Sequence, residues 1–232
     1  MGDSGASGSG GAGAKPAVNM KLAMGATVLT ILAVVFLIVG LVTPWYMVSL
    51  TGPGMTGSST VGFSGVSSTN NGNTTTQSWD NYTTEYKDDH NGTAPQLPGV
   101  YSTSMYLSVV AMVMAILGIP VGFLTGAGKV KPMVAMLVAI LAIVLSLAAF
   151  GTFAAGHVAA FSHDMGDSGM SEGPHKSLMG TNSTTIGGQT VTINWGPGIG
   201  YWMPLVAAIM VILSLVLGMR SMKGSTPASP PK

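Results

Sequence analysis

The sequence predicts an all-α membrane protein: a four-transmembrane-helix bundle with a small extracellular β-sheet formed by its two outer loops. Three observations lead to this fold class: four uncharged apolar stretches, a one-sided distribution of basic residues, and turn signals in the loops. Of the 232 residues, 47% are hydrophobic and only 7% are charged, whereas soluble domains carry about 25% charged residues. Such a surface suits lipid better than water.

Each of four apolar stretches is long enough to cross a bilayer, which takes about 20 helical residues. None contains Asp, Glu, Lys, Arg or His. The first exceeds the apolar core of a cleaved signal peptide, and "TPWYMVSL" offers no small-x-small cleavage site, so we expect a retained helix. The predicted segments are a tail (1–21), a helix (22–43), an outer loop (44–100), a helix (101–125), an inner connection (126–131), a helix (132–155), a second outer loop (156–198), a helix (199–219) and a tail (220–232).

The basic residues predict the orientation. Seven of the nine Lys and Arg residues fall in the two tails and the short middle connection, and basic residues concentrate on the cytosolic side of membrane proteins. Both termini are therefore predicted to be cytosolic, in a multi-pass protein of the plasma membrane. These seven residues are Lys15, Lys21, Lys129, Lys131, Arg220, Lys223 and Lys232.

The predicted outer loops carry four Asn-x-Ser/Thr triplets, and the predicted cytosolic segments carry none. Such a triplet accepts a glycan only where the chain meets the secretory machinery. The triplets therefore agree with the orientation and predict a glycoprotein. The candidate glycosylation sites are Asn73, Asn81, Asn91 and Asn182.

Two dipeptides predict β-hairpins in these loops. Asn71-Gly72 and Gly187-Gly188 each lie between β-prone runs, and such pairs favour tight hairpin turns because both residues tolerate positive φ. Val191 and Ile193 alternate with polar residues, as in a half-buried strand. The alternative is two mobile, glycosylated loops. Trp79 is expected to pack in the sheet, and the aromatic residues near the helix ends are expected in the lipid headgroup layer: Trp45, Tyr46, Tyr101, Tyr106, Trp195, Tyr201 and Trp202.

Small residues predict how the helices pack. Gly118, Gly122 and Gly126 stand four apart and form a ridge along the second helix, and such a ridge lets another backbone approach closely. We expect the second and third helices to form a tight antiparallel hairpin, and the ridge also suits contact within an oligomer. The third helix offers a matching seam of small residues at Ala135, Ala139, Ala142, Ser146 and Ala149.

Enzymatic and transport chemistry have little support in the sequence. The helices hold no charged residue of a transport path, and hydrolase and P-loop motifs are absent. The near-zero net charge argues against nucleic-acid binding, and without cysteine there is no disulfide or thiolate chemistry. We expect a non-enzyme without a cofactor. One metal site stays open as an alternative, because imidazole and thioether groups bind copper: His157, His163, Asp164, Met165, Met170, His175 and Met179.

The overall layout resembles the claudin and peripheral-myelin-protein superfamily. The likeness consists of cytosolic ends, a long first outer loop, a short basic inner connection, a smaller second outer loop and the "TPWY" that closes the first helix. In sequence it rests on Trp45 alone, because the family's Gly-Leu-Trp motif and its two following cysteines are missing. The resemblance implies a four-helix bundle with an outer sheet, and a role in adhesion, junctions or membrane organisation.

These observations favour a non-enzymatic cell-surface protein that acts by lateral and extracellular protein contacts. The expected partners are membrane lipid and either a second copy or another membrane protein. The alternative is an accessory subunit that packs against a larger membrane enzyme, channel or transporter. A small channel would need a polar helix lining, which the sequence does not offer.

Overall fold

The computed structural model describes residues 19–166, 173–186 and 188–223. Four of its helices are long and apolar enough to cross a membrane, as the sequence predicts. They are α1 (Met20–Val42), α3 (Leu97–Gly126), α4 (Pro132–Met165) and α5 (Ile199–Lys223).

Three of these helices extend at least four residues beyond the predicted spans, α5 by continuing to Lys223. α3 begins at Leu97, where Pro98 suits a first helical turn. α4 continues to Met165 and ends at Gly166, whose φ is 64°. His157, His163 and Asp164 are therefore helical, although the sequence placed them in a loop. The sequence did not reveal this extension, because residues 156–165 include His and charged side chains. The extension lies beyond the apolar, membrane-spanning part of α4 and packs against protein.

The described chain is not strictly all-α, because it contains one six-stranded antiparallel sheet. The strand order is β4-β3-β2-β1-β6-β5, so the first loop supplies four strands and the second loop two. The strands are β1 (Tyr46–Gly52), β2 (Met55–Gly62), β3 (Gly65–Asn70), β4 (Asn73–Ser78), β5 (Gly180–Ile186) and β6 (Gln189–Pro197).

Both predicted hairpins are present. Asn71 and Gly72 have φ values of 48° and 86°, which fits the type I′ turn expected of this pair. Ile186 pairs with Gln189 across the second turn, of which Gly187 lies outside the described residues. The turn at Pro53-Gly54, where Gly54 has φ 69°, was missed. Proline followed by glycine is a type II turn signal, so this extra hairpin was readable in principle.

A helix that the sequence did not predict, α2 (Trp79–Asp89), follows β4. Ser78 caps it by accepting a hydrogen bond from the Asn81 backbone N–H at 3.3 Å. Trp79, which was expected to pack in the sheet, starts this helix, and its indole N–H reaches the sheet and donates to the Gly62 carbonyl at 3.2 Å. A helical signal was present, because Trp79, Tyr82 and Tyr86 recur at spacings of three and four residues, but the other residues of the segment are polar and obscured it.

The prediction that the aromatic residues near the helix ends lie in the lipid headgroup layer is wrong for most of them. Five of the seven aromatic residues are buried in one cluster at the junction between sheet and bundle. Only Tyr106 and Trp202 are exposed, at 65% and 41%. The reason is that the sheet lies directly on the helix ends, so protein covers the rings that headgroups would otherwise surround. The buried five are Trp45, Tyr46, Tyr101, Trp195 and Tyr201.

The middle of the bundle is packed through small residues. α1 lies along α5, and α3 lies along α4. Contacts of α4 with α5 and of α1 with α3 complete a ring of four helices. The small seam predicted on α4 is largely buried, at Ala142, Ser146 and Ala149. The tight α3–α4 hairpin is therefore confirmed. Below, "sheet end" is the end of the bundle under the sheet, and "basic end" is the opposite end, where Lys21, Lys129, Lys131 and Arg220 lie.

Candidate functional site

One face of the sheet is covered by the bundle, and the other face is bare except at one margin, which borders the end of α1. Successive residues of a strand point to opposite faces. Tyr46, Val61 and Trp195 point to the covered face, where they pack with α3 and α4. The other face, called here the hydroxyl face, carries almost only Ser, Thr and Asn side chains: Ser49, Thr51, Thr56, Ser58, Thr60, Ser67, Thr69, Thr74, Thr76, Thr181, Ser183, Thr185, Thr190, Thr192 and Asn194, together with Met47.

Strand register aligns these side chains in rows across the whole sheet. One row runs Thr181, Asn194, Ser49, Ser58, Thr69, Thr74. Its members bond to one another at both edges: the Thr69 and Thr74 hydroxyls are 2.9 Å apart, and the Thr181 hydroxyl donates to the Asn194 side-chain oxygen at 2.7 Å. Such cross-strand pairs stiffen a sheet. The result is an ordered surface of uncharged groups.

Among the described residues, the acidic side chains at the sheet end belong to helices and none belongs to the strands of the hydroxyl face. Asp80, Glu85, Asp88 and Asp89 are on α2, and Asp164 is near the end of α4. Another protein can therefore approach the hydroxyl face without meeting a carboxylate on it. Sequence reasoning missed this surface, because runs such as "TGSST" and "NSTT" do not reveal which residues share a face until the register is known.

The four candidate glycosylation sites all lie at the sheet end, and two of them are on the edge strands. Asn73 begins β4 and Asn182 lies in β5, so each outer edge of the sheet carries one. Both belong to the same cross-strand row on the covered side of the sheet. Asn81 and Asn91 are exposed on α2 and in the turn after it. Glycosylation at these positions stays a prediction.

Asp164 joins three elements at the sheet end. Its carboxylate accepts hydrogen bonds from the backbone N–H groups of Gln96 at 2.7 Å and Leu97 at 2.9 Å, and so caps the start of α3, where helix N–H groups lack partners. The Tyr82 hydroxyl of α2 donates to the same carboxylate at 3.3 Å. Burial, followed by the nearby Asp164 charge, raises the pKa of the Tyr82 phenol. This phenol therefore stays a proton donor at neutral pH.

The residues of the open copper alternative are placed in different surroundings. His157 is buried and ringed by Tyr46, Phe153 and Phe161. His163 lies 2.9 Å from Asp164. Within the described ranges, no group of three or more His, Cys, Asp or Glu side chains could hold a metal ion. Met170 lies outside the described residues.

The glycine ridge on α3 faces open space for most of its length. A Cβ on Gly118 would meet a methyl of Val138 on α4 at 3.7 Å, whereas a Cβ on Gly122 or Gly126 would meet nothing within 4 Å. The ridge therefore does not set the α3–α4 contact. These three glycines instead line a cavity of about 690 Å³ between the four helices at the basic end. Contact of the ridge with another chain stays a prediction.

Comparison with known proteins gives no family. No protein-family model matches this chain, and the curated proteins include no significant match.

Proposed function

We propose that the chain is a non-enzymatic four-pass protein of the plasma membrane, with cytosolic termini, that acts by lateral and extracellular protein contacts through the hydroxyl face. One observation carries this proposal: a six-stranded sheet presents an ordered, uncharged and uncovered face beside the bundle. Adhesion, junction formation and membrane organisation all need a rigid surface of this kind, and they are the roles that the claudin-like layout implies.

The sheet is held rigidly on the helix ends, which favours a role in binding. The Trp45 backbone N–H donates to the Val61 carbonyl at 2.8 Å, and the Gly198 and Gly200 N–H groups donate to the Trp45 and Pro44 carbonyls at 2.9 Å. A Cβ on Gly198 would collide with the Pro44 carbonyl, so only glycine allows this approach. A surface that is already ordered loses less entropy on binding.

The chemistry of the hydroxyl face favours a second copy of this chain as the partner. Each hydroxyl can donate and accept a hydrogen bond, so two identical faces can complement each other. A symmetric dimer uses the same patch twice, which charge of one sign would disfavour. Without charged side chains on the face, that repulsion does not arise.

The test uses Ser58→Arg, because Ser58 is exposed in the middle of the hydroxyl face. Thr84→Arg, on the exposed surface of α2, is the matched control. Both variants are expressed with the wild type in cells that do not adhere, and energy transfer between labelled copies and cell aggregation are measured. We expect Ser58→Arg to abolish self-association and any aggregation, since two Arg side chains would face each other, and Thr84→Arg to retain both.

Two outcomes would overturn this proposal. Self-association and aggregation that Ser58→Arg leaves unchanged would show that the hydroxyl face is not the contact. Purification in gentle detergent with an unrelated membrane protein in fixed stoichiometry, and without self-association, would support the accessory-subunit alternative.

A further inference from the structure

The cavity at the basic end lies where the buried residues of three helices stop, while α1 and α5 remain hydrogen-bonded to each other. On α3 the last buried residue is Ala115, on α4 the first is Ala142, and on α1 the first is Ala33. Between these positions and the basic end, none of the three helices has a buried residue. The cavity of about 690 Å³ fills this gap, and its volume falls within the roughly 300–1,000 Å³ of small-molecule sites.

The cavity is as deep as one leaflet of a bilayer. Its lining runs from Met20 to Thr30 on α1 and from Pro132 to Ala142 on α4. Each stretch covers about 15 Å at the helical rise of 1.5 Å per residue. The hydrocarbon core of a bilayer is about 30 Å thick, so the lining follows the length of a single acyl chain from the basic end to the bilayer middle.

The cavity wall is apolar even where it contains hydroxyl groups. Each of the five hydroxyl side chains in the lining donates to a backbone carbonyl, at 2.7 to 3.1 Å. None therefore needs a polar ligand or water to satisfy its proton. The remaining lining consists of aliphatic side chains, glycine, proline, Phe123 and several methionines, whose flexible thioethers adapt to an apolar guest. The five hydroxyl residues are Thr27, Thr30, Thr125, Ser214 and Ser221.

Four exposed cations lie at the basic end, three of them next to lining residues in the sequence. Lys21 follows the lining residue Met20, Lys131 precedes Pro132, and Arg220 lies between Met219 and Ser221. Lys129 lies in the connection between α3 and α4. All four are exposed, and within the described part of the chain the acidic residues lie at the sheet end, so these cations have no acidic neighbour. Basic groups between helix ends are typical of sites for anionic lipid headgroups.

We infer that the cavity holds one acyl chain of an anionic phospholipid from the leaflet at the basic end, with its phosphate bound by Lys129, Lys131 and their neighbours. The apolar wall and its depth select the chain, and the cations select the headgroup. This inference is independent of the hydroxyl face: a failure of the self-association test leaves it intact, and the reverse also holds.

Native mass spectrometry of the full chain in mild detergent tests the inference, with phosphatidylglycerol and phosphatidylcholine of identical acyl chains as probes. We expect preferential retention of phosphatidylglycerol by the wild type. Gly122→Phe should remove retention of both lipids, because its ring would occupy the cavity. Gly151→Phe is the matched control, since Gly151 also has open space around its Cβ but lies outside the cavity. The double variant Lys129→Gln/Lys131→Gln should lower phosphatidylglycerol retention about tenfold, whereas Lys87→Gln on α2 should not.

Several results would overturn the inference. If Gly122→Phe does not change lipid retention, the cavity is not the lipid site. If the wild type retains the two lipids equally, the site has no headgroup preference. Oleate that displaces phosphatidylglycerol at equal concentration would identify a free fatty acid as the ligand. A co-purifying membrane protein lost in Gly122→Phe would identify a partner helix as the occupant.

If Gly122→Phe does not fold, electron spin resonance of the wild type decides. A lipid that is spin-labelled near its chain end should show an immobilised fraction, and phosphatidylglycerol should displace it. The absence of such a fraction would refute the site.

Discussion

Asp164 shows how one side chain can connect distant parts of the chain. It lies in α4, caps α3 and accepts a hydrogen bond from α2. Its side chain is completely buried, and a buried carboxylate is tolerated only with several donors. From the sequence, Asp164 was a candidate copper ligand in a loop, because nothing local shows that its donors lie 67 and 68 residues away.

Asp164→Asn should lower the free energy of unfolding by about 1–3 kcal/mol, since one acceptor of the helix cap is lost and an amide donor is placed against N–H groups. Asp88→Asn, at an exposed site on α2, should change it by about 0.5 kcal/mol or less. Thermal unfolding of both variants in detergent measures the difference. Equal melting temperatures would show that the cap contributes nothing.

Trp45 is the residue on which sheet and bundle meet. Its indole N–H donates to the Gly40 carbonyl at 2.6 Å, and its ring packs on Phe63 and Phe153 with centroids 4.6 and 5.2 Å apart. Gly200 has no room for a Cβ because the same ring covers it. The sequence singled out Trp45 through its position at a helix end but placed it in lipid, because burial by a sheet is not visible in a local pattern.

Trp45→Ala should cost about 3–5 kcal/mol, as expected for a buried aromatic residue cut back to alanine. Trp202→Ala provides the comparison, since Trp202 is adjacent to the same cluster but 41% exposed, and it should cost about 1 kcal/mol. The readout is the midpoint of thermal unfolding, together with the yield of folded protein. A loss at Trp202 as large as that at Trp45 would contradict the assigned core.

The outermost strands of the sheet are β4 and β5. Exposed edges invite pairing with other strands, and β4 and β5 leave both edges of this sheet open. A glycan on Asn73 and another on Asn182 would shield them. The strands themselves were only partly predictable: the Asn-Gly and Gly-Gly turns were readable, whereas the uniform Ser/Thr/Gly composition of 55–70 hides where β2 ends and β3 begins.

Loss of both predicted edge glycosylation sites should therefore produce large aggregates. Asn73→Gln/Asn182→Gln removes the edge sites, and Asn81→Gln/Thr93→Ala removes the other two; Thr93 is changed because Asn91, with φ 52°, suits its turn conformation. Size-exclusion chromatography of both double variants should show aggregation of the edge variant alone. Similar profiles for the two would mean that the glycans do not protect the edges.

For the whole molecule, hydropathy alone gave the four long helices, since apolar length is a local property. Neither of the two proposed binding surfaces was visible at that level. The hydroxyl face depends on six strands in register, and the cavity depends on how four helices are arranged at one end. The glycine ridge was predicted as a contact surface; within this chain it lines the cavity, because a Cβ on Gly122 or Gly126 would meet no atom within 4 Å.

Single-cysteine cross-linking of the full chain in membranes tests the central claim most directly, because the protein has no native cysteine. Cysteines placed one at a time at Ser49, Ser58 and Thr69 sample the middle of the hydroxyl face, and Asp88→Cys, at an exposed site on α2, samples another surface. Mild oxidation should yield disulfide-linked dimers from at least one hydroxyl-face position and none from Asp88→Cys. Dimers from α2 alone, or from no position on the hydroxyl face, would contradict the account.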